Sequence, residues 1–124
     1  MKILESASLP APAGHFSPAI EHNGVLYLSG QLPKHPVTKE VPEGIEAQTK
    51  LSLENVENVL KAFGQDKTSV IRMVVYITDI AYWADVNRVY TEFFGDHKPV
   101  RCIIPIGPLN GGCLIEVECT AERV

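Results

Sequence analysis

The chain has 124 residues, of which 45% are hydrophobic and 21% are charged, and its formal net charge at pH 7 is −4. This length predicts a single domain over residues 1–124 with one core, and the composition is that of a globular protein, which excludes a disordered chain. The basic residues are dispersed along the sequence, so nucleic acid is not the partner that the charge predicts.

The sequence contains no apolar stretch of signal-peptide or membrane-spanning length, so we expect a cytoplasmic protein that does not act at a membrane. Its three cysteines, Cys102, Cys113 and Cys119, form no Cys-x-x-Cys pair, and we expect reduced, mostly packed thiols. The four histidines lack the spacing of zinc ligands, so no metal site is expected.

The first part of the chain predicts loops around one β-hairpin. Residues 10–18 are too rich in Pro and Gly for regular structure. Two short β-prone runs follow, 19–22 and 25–29, and the Asn23-Gly24 pair between them favours a two-residue hairpin turn. Residues 33–43 hold three prolines and are predicted to cross the surface as a loop.

Apolar residues at helical spacing predict two amphipathic helices. The first lies between Gly44 and Gly64, with Glu46 and Lys50 four residues apart on its polar side. The second follows Asp79, which is placed to cap it, and ends at Phe94-Gly95.

The remaining segments predict three strands. Residues 70–78 are dense in β-branched side chains and predict a largely buried strand, and residues 100–106 and 114–121 predict two more. The resulting order, β, ββ, α, β, α, ββ, is typical of an α+β fold with both helices on one face of a mixed sheet. The opposite face would expose apolar side chains such as Val74, Tyr76 and Ile104, so we predict a homo-oligomer.

Two charged residues interrupt apolar strand segments, Arg101 near the start of one and Glu116 inside another. The arginine offers a planar set of donors that suits a carboxylate, and the glutamate could hold or deprotonate a water. Together they suggest a pocket for small organic acids. Two alternatives stay open: both residues could lie on a solvated face, or Arg101 could form a salt bridge with Glu116 or Glu118.

Weaker signals lie elsewhere. Ser29-Gly30 ends a predicted strand, where a glycine permits close approach of a ligand but is more often part of a turn. Asn87 and Tyr90 share one face of the second helix, and for Tyr90 core packing is the favoured interpretation. Cys102 follows Arg101 but has no visible base to activate it.

The sequence resembles the RidA (YjgF) family over residues 14 to the end. The matching segments are Gly14-His15-Phe16-Ser17-Pro18-Ala19, Val25-Leu26-Tyr27-Leu28-Ser29-Gly30-Gln31-Leu32-Pro33, Gln48-Thr49, Tyr76-Ile77-Thr78-Asp79, Val86-Asn87-Arg88-Val89-Tyr90-Thr91-Glu92-Phe93-Phe94, Lys98-Pro99-Val100-Arg101 and Ile115-Glu116-Val117-Glu118. Each segment alone is a weak signal, but together and in this order they indicate membership.

The resemblance implies a chorismate mutase-like fold and a homotrimer with ligand clefts between subunits. It also implies hydrolysis of reactive enamines and imines, such as 2-aminoacrylate, to 2-keto acids with release of ammonia, without a metal or organic cofactor. Arg101 would hold the substrate carboxylate and Glu116 would activate the water. Ser29, Gly30, Asn87 and the backbone near Ile103 would line the pocket.

The sequence departs from the family pattern at two pocket positions. Phe16 stands where active deaminases commonly carry a tyrosine, and Ile103 stands where a cysteine is frequent. A more apolar wall could favour a larger substrate than aminoacrylate. The alternative function is a non-catalytic trimer that binds small carboxylates such as 2-keto acids. Ribonuclease activity, also attributed to parts of the family, is disfavoured by the missing basic surface.

Overall fold

The computed structural model describes residues 1–124 and contains six strands and two helices. The strands are β1 (Lys2–Leu4), β2 (Ala19–His22), β3 (Val25–Leu28), β4 (Val70–Ile77), β5 (Val100–Pro105) and β6 (Ile115–Glu122), and the helices are α1 (Ile45–Ala62) and α2 (Trp83–Phe94). Neither helix is long and apolar enough to cross a membrane.

All six strands belong to one sheet in the order β1-β2-β3-β6-β4-β5. Neighbouring strands are antiparallel except β4 and β5, which are parallel. A parallel pair needs a crossover connection, and α2 provides it between β4 and β5. The predicted α+β class with a mixed sheet is therefore confirmed, and β5 forms an edge of the sheet.

The predicted hairpin joins β2 to β3. Asn23 and Gly24 have positive φ angles of 50° and 77°, as a two-residue turn of this twist requires, and His22 pairs with Val25 across it. Ser29 and Gly30 directly follow β3, so the hairpin also fixes their position.

The helices cover one face of the sheet. Along β4, Met73, Val75 and Ile77 are buried toward the helices, whereas Val74 and Tyr76 on the opposite face are only partly buried. We call this opposite face the open face. It also carries Ile104, which is 38% exposed in the single subunit, so the predicted uncovered apolar face is present.

Two details of the helices differ from the sequence prediction. Asp79 accepts a hydrogen bond from the Ala81 backbone N–H (2.8 Å) and so caps the short 3₁₀ turn that precedes α2, while α2 itself has no side-chain cap. Glu46 pairs with Arg88 of α2 (2.6 Å) and not with Lys50. A contact across the two helices therefore replaces the pairing within α1.

Buried amides on α1 fix the loops that flank the sheet. The Gln48 side chain accepts from the Leu114 backbone N–H (2.8 Å) and donates to the Pro42 carbonyl (2.9 Å). The Asn55 side chain donates to the carbonyls of Leu32 (3.0 Å) and Lys34 (2.9 Å). These bonds hold the segment after β3 and the start of β6, which both lead to candidate site residues.

Candidate functional site

Arg101 lies on the edge strand β5 and points toward α2. Its strand partner on β4 is Met73, which is fully buried against the helices, so both side chains share that face. The Arg101 Nη1 donates to Oδ1 of Asn87 at 2.9 Å. Asn87, predicted to line a ligand pocket, therefore holds the arginine.

Two aromatic rings complete the surroundings of this arginine. The Arg101 Cζ lies 4.7 Å from the centre of the Tyr90 ring and 5.8 Å from the centre of the Trp83 ring. Trp83, Asn87 and Tyr90 recur at i, i+4 and i+7, so one stripe of α2 supplies all three contacts. We call these three residues the arginine cradle.

The charge of Arg101 has no acidic partner in the subunit. Lys61 and Arg88 are the only basic residues that form ion pairs with acidic side chains. The alternative of a salt bridge from Arg101 to a glutamate is therefore not formed. Arg101 also lines a cavity of about 400 Å³ that contains Lys98 and no acidic side chain. The unpaired guanidinium therefore suits an anion.

Tyr90 is buried, and its hydroxyl has no hydrogen-bond partner. Burial raises the pKa of Tyr90 to about 12, although the nearby positive charge of Arg101 acts in the opposite direction. Tyr90 therefore stays neutral, and it is its ring that contacts the guanidinium.

Glu116 and Gly30 form a second group on the open face. A Cβ atom added to Gly30 would lie 2.9 Å from Oε2 of Glu116 and 3.0 Å from its Cδ, so any side chain here would displace the carboxylate. The predicted close approach at this glycine is thus made by Glu116. The neighbouring Ser29 donates through its hydroxyl to the Ser17 carbonyl (2.7 Å).

Phe16 lies in the loop of residues 14–18, which hydrogen bonds from Ser29 tie to the end of β3. The Ser29 hydroxyl donates to the Ser17 carbonyl, and the Ser29 backbone N–H donates to the Pro18 carbonyl (3.0 Å). Phe16 is 53% exposed in the single subunit, so its ring is available to a ligand or to another chain.

Glu116 and Glu118 lie side by side on β6, and both face the open side of the sheet. Burial, and secondarily the negative charge of Glu118, raise the pKa of Glu116. The Tyr76 hydroxyl donates to Glu118, which raises the pKa of Tyr76 to about 12. Glu118 is therefore bound by a neighbour, whereas Glu116 makes no hydrogen bond or ion pair within the subunit.

The predicted site residues thus divide into two groups on opposite faces of the sheet. Arg101, Asn87 and Ile103 lie on the helix side of β5, because Ile103 pairs with the buried Val75. Glu116 pairs with Tyr76 on the open face. Two strand spacings, about 10 Å, separate β5 from β6, so one subunit does not bring Arg101 and Glu116 together.

Comparison with known proteins identifies the chain at the family level. A family model described as Endoribonuclease L-PSP, which represents the RidA (YjgF) family, matches residues 6–123. The chain belongs to the RidA family.

Relatives of this RidA-family protein extend over its whole length. A RutC family protein of Pyrococcus horikoshii is 36% identical over 98% of both chains. TdcF of Escherichia coli K12, whose name provisionally assigns it as a reactive intermediate deaminase, is 34% identical over 98% of this chain and 97% of its own. The crystal structure of E. coli TdcF with bound serine superposes with a TM-score of 0.92 at 33% identity and full coverage of both chains.

Another solved structure of the family, RidA from the Antarctic bacterium Psychrobacter sp., superposes with a TM-score of 0.91 at 28% identity, covering 98% of this chain and 99% of its own. The structural likeness confirms the predicted fold class.

Sequence reasoning missed two contacts of this RidA-family protein. The contact of Trp83 with Arg101 was not predicted, whereas the interpretation of Tyr90 as a core residue is confirmed, because Tyr90 is buried. The hydrogen bond from the Tyr76 hydroxyl to Glu118 joins neighbouring strands, and no local sequence pattern predicts it. No group of three potential metal-ligating side chains occurs in the structure.

Proposed function

We propose that this protein hydrolyses reactive 2-imino acids, and their enamine tautomers such as 2-aminoacrylate, to 2-keto acids and ammonia. The observation that carries the proposal is the guanidinium of Arg101, which neutral groups hold in place and no acid neutralises. The family relationship to TdcF supports the same chemistry, since that protein's name assigns it to reactive intermediates.

Arg101 would bind the substrate carboxylate. Nη1 is engaged by Asn87, which leaves the other N–H groups of the fork to face a ligand. Because the arginine cradle is neutral, no acidic side chain of the subunit would compete with the substrate carboxylate for the positive charge of Arg101. Fixing the carboxylate also fixes the position of the adjacent C=N carbon, which is the reacting atom.

Glu116 would act as the general base. Its raised pKa makes it a stronger base than an exposed carboxylate, and Gly30 leaves it room. Glu116 takes a proton from water, the water oxygen bonds to the iminium carbon, and the C=N electron pair moves to nitrogen. Proton transfer to nitrogen and collapse of the carbinolamine then release ammonia and leave the 2-keto acid.

This mechanism requires more than one copy of the chain. Because the sheet separates Arg101 from Glu116 within a subunit, a shared cleft would take Arg101 from one subunit and Glu116 from a neighbour. We therefore propose a homotrimer with clefts between subunits, as the family resemblance implies. The apolar open face supports an assembly of this kind.

The test is turnover of imines generated in situ by an amino-acid oxidase with catalase, followed as 2-keto acid formation above the uncatalysed rate. Arg101→Ala should lose at least about tenfold in kcat/KM, because a charge-assisted bond to the carboxylate disappears. Arg88→Ala is the control, since Arg88 is bound to Glu46 and Asp85 and not to the site. No acceleration by the wild type, or full activity of Arg101→Ala, would exclude the proposal.

A non-catalytic carboxylate-binding trimer is the second candidate. The observation in its favour is that the arginine cradle is complete without Glu116, and the related TdcF structure holds serine, an amino acid and not an imine. Glu116→Gln separates the two functions. If Glu116 is the base, this variant loses turnover but still binds 2-keto acids in calorimetry, whereas a pure binding protein shows no turnover in either form.

A further inference from the structure

We propose that Tyr76 is a positioning residue for the proposed reaction. Its hydroxyl holds the Glu118 carboxylate in place, so Glu116 alone of the two neighbouring glutamates exchanges a proton with the attacking water. This inference rests on the proposed function, because Glu116 must be the general base. It goes beyond that function by giving Tyr76 and Glu118 a role that neither the sequence pattern nor the relatives assign.

Two carboxylates, not one, face the open side of the sheet. Glu116 and Glu118 are two residues apart on β6, which places them on the same face with their Cα atoms about 6.6 Å apart. Both side chains are partly buried, so burial alone does not decide which of them takes the proton of a water. Two carboxylates this close take up protons as a coupled pair unless their surroundings distinguish them.

Tyr76 distinguishes the two glutamates through its position on β4. Its Cα lies opposite that of Glu116 in the antiparallel β4–β6 pair, whereas its hydroxyl donates to Oε1 of Glu118. The side chain therefore runs diagonally across the two strands, which is within the reach of an aromatic side chain. One oxygen of Glu118 is thus engaged. The Glu116 carboxylate accepts no hydrogen bond within the subunit and lies against the backbone of Gly30, so it is free to bind a water.

The Tyr76 hydroxyl keeps its proton over the whole range in which carboxylates titrate. The hydrogen bond to Glu118, and after it burial, raise the pKa of Tyr76 to about 12, and the negative charges of Glu118 and Glu116 act in the same direction. Tyr76 is therefore a permanent donor, and a donor of this kind binds a charged carboxylate more strongly than a protonated carboxyl group. A proton that enters the pair is directed to Glu116.

The other titratable and charged groups around the pair do not make this distinction. Cys113, in the turn before β6, is buried, and burial raises the pKa of its thiol, so the thiol is uncharged. The Arg72 guanidinium lies 3.9 Å from Sγ of Cys102 on β5 and forms no ion pair with either glutamate. Lys34, whose charge acts on Cys113, forms none either. Tyr76 is the group that contacts one glutamate and not the other.

The pH dependence of kcat tests the inference, with Tyr76→Phe as the variant that removes only the hydroxyl. In the wild type, activity should fall in one step as the pH decreases through the pKa of Glu116. In Tyr76→Phe the first proton divides between the two carboxylates, and Glu116 stays unprotonated in about half of the molecules. The acidic limb should then show two steps, separated by a shoulder near half of the full rate.

Tyr27→Phe is the matched control. Tyr27 also lies on the open face, where it pairs with Thr120 of β6, and its hydroxyl makes no hydrogen bond within the subunit. The same chemical change at this position should leave the single-step limb of the wild type.

A double variant shows whether Tyr76 acts through Glu118. In Glu118→Gln only one carboxylate remains, so removal of the Tyr76 hydroxyl as well should leave the acidic limb unchanged. An equal change of the limb by Tyr76→Phe in both backgrounds would overturn the inference, since the tyrosine would then act on Glu116 directly. A single-step limb in Tyr76→Phe at the same pH as in the wild type would also overturn it.

Nuclear magnetic resonance supplies a readout that needs no substrate. With carbon-13-labelled glutamate carboxyl groups, the Glu116 signal should titrate in one step in the wild type and in two steps in Tyr76→Phe, where Glu118 shares the proton. These titrations without turnover of imines would uphold the proton assignment and overturn the proposed function. Turnover with a one-step titration of Glu116 in both proteins would overturn the role of Tyr76 and leave the deaminase proposal standing.

Discussion

Two arginines of this chain show how the immediate partners of a residue decide its use. Arg88 is bound to Asp85 at 3.0 Å and Glu46 at 2.6 Å, and these acids raise its pKa and neutralise its charge. Arg101 is held by an amide and two aromatic rings instead. Neutral partners fix the orientation of a guanidinium without cancelling its charge, so Arg101 stays available to an external anion.

Glu118 is expected to tune the basicity of Glu116. The negative charge of Glu118 is one cause of the raised pKa of Glu116. A general base works in its deprotonated form, so the rate should rise as the pH increases through the pKa of Glu116. Glu118→Gln removes the repelling charge, lowers that pKa and should shift the acidic limb of the kcat profile to lower pH.

The matched control for this shift is Glu122→Gln. Glu122 lies on the same strand and face, six residues and about 20 Å from Glu116, so it changes the net charge equally without adjoining the base. The two pH–rate profiles should therefore differ in their acidic limb. A shift of the same size in both variants, or an upward shift in Glu118→Gln, would contradict the assignment of Glu116 as the tuned base.

At the level of single residues, the sequence predicted positions better than contacts. The alternation of β6 placed Glu116 and Glu118 on one face, and the structure agrees. For Gly30 the sequence left open close approach of a ligand or, more commonly for such a glycine, a turn, and in the structure it is Glu116 that approaches closely. That contact joins segments far apart in the chain, so it depends on the strand order, which no local pattern encodes.

At the level of elements, α1 combines an apolar stripe with buried polar side chains that secure the loops. Asn55 donates two hydrogen bonds to the segment after β3, while Ser52, also buried on α1, has a hydroxyl without a partner. Helical periodicity predicted the bounds of α1 to within about two residues, as expected for element boundaries. The tethering role of its polar residues was not predictable, because their partners lie in an irregular loop.

Loss of the Asn55 tether should destabilise the protein. Asn55→Ala leaves the carbonyls of Leu32 and Lys34 without their donors, which should lower the free energy of unfolding by about 1–3 kcal/mol. Denaturant unfolding at a fixed protein concentration measures this change. Ser52→Ala, on the same helix, breaks no hydrogen bond and should lie within about 0.5 kcal/mol of the wild type. Equal stabilities of the two variants would show that the tether contributes nothing.

At the level of the whole molecule, the sheet has one covered and one uncovered face. The sequence predicted both faces, because two helices that cover one side of the sheet leave Val74, Tyr76 and Ile104 on the other. In the structure, residues 73–77 of β4 alternate between buried and partly buried side chains. The sequence did not predict that β4 would lie between β5 and β6 in the sheet. That insertion is what separates Arg101 from Glu116, and it links the proposed activity to assembly.

Disrupting the open face should therefore abolish both assembly and turnover. Ile104 lies on this face beside Tyr76, and an arginine there would place a charge in an apolar contact between copies. We expect the wild type to sediment as a trimer of the 13.6 kDa chain and Ile104→Arg to sediment as a monomer. The variant should also be inactive on imines although Arg101 and Glu116 are intact.

Val37→Arg is the control for this experiment. Val37 is 81% exposed in the loop between β3 and α1, so the same substitution there adds charge without altering the sheet. It should keep the mass and the activity of the wild type. A folded, monomeric Ile104→Arg protein with full turnover would mean that one subunit can complete the site, which the opposite orientations of Arg101 and Glu116 argue against. A monomeric wild type would refute the assembly itself.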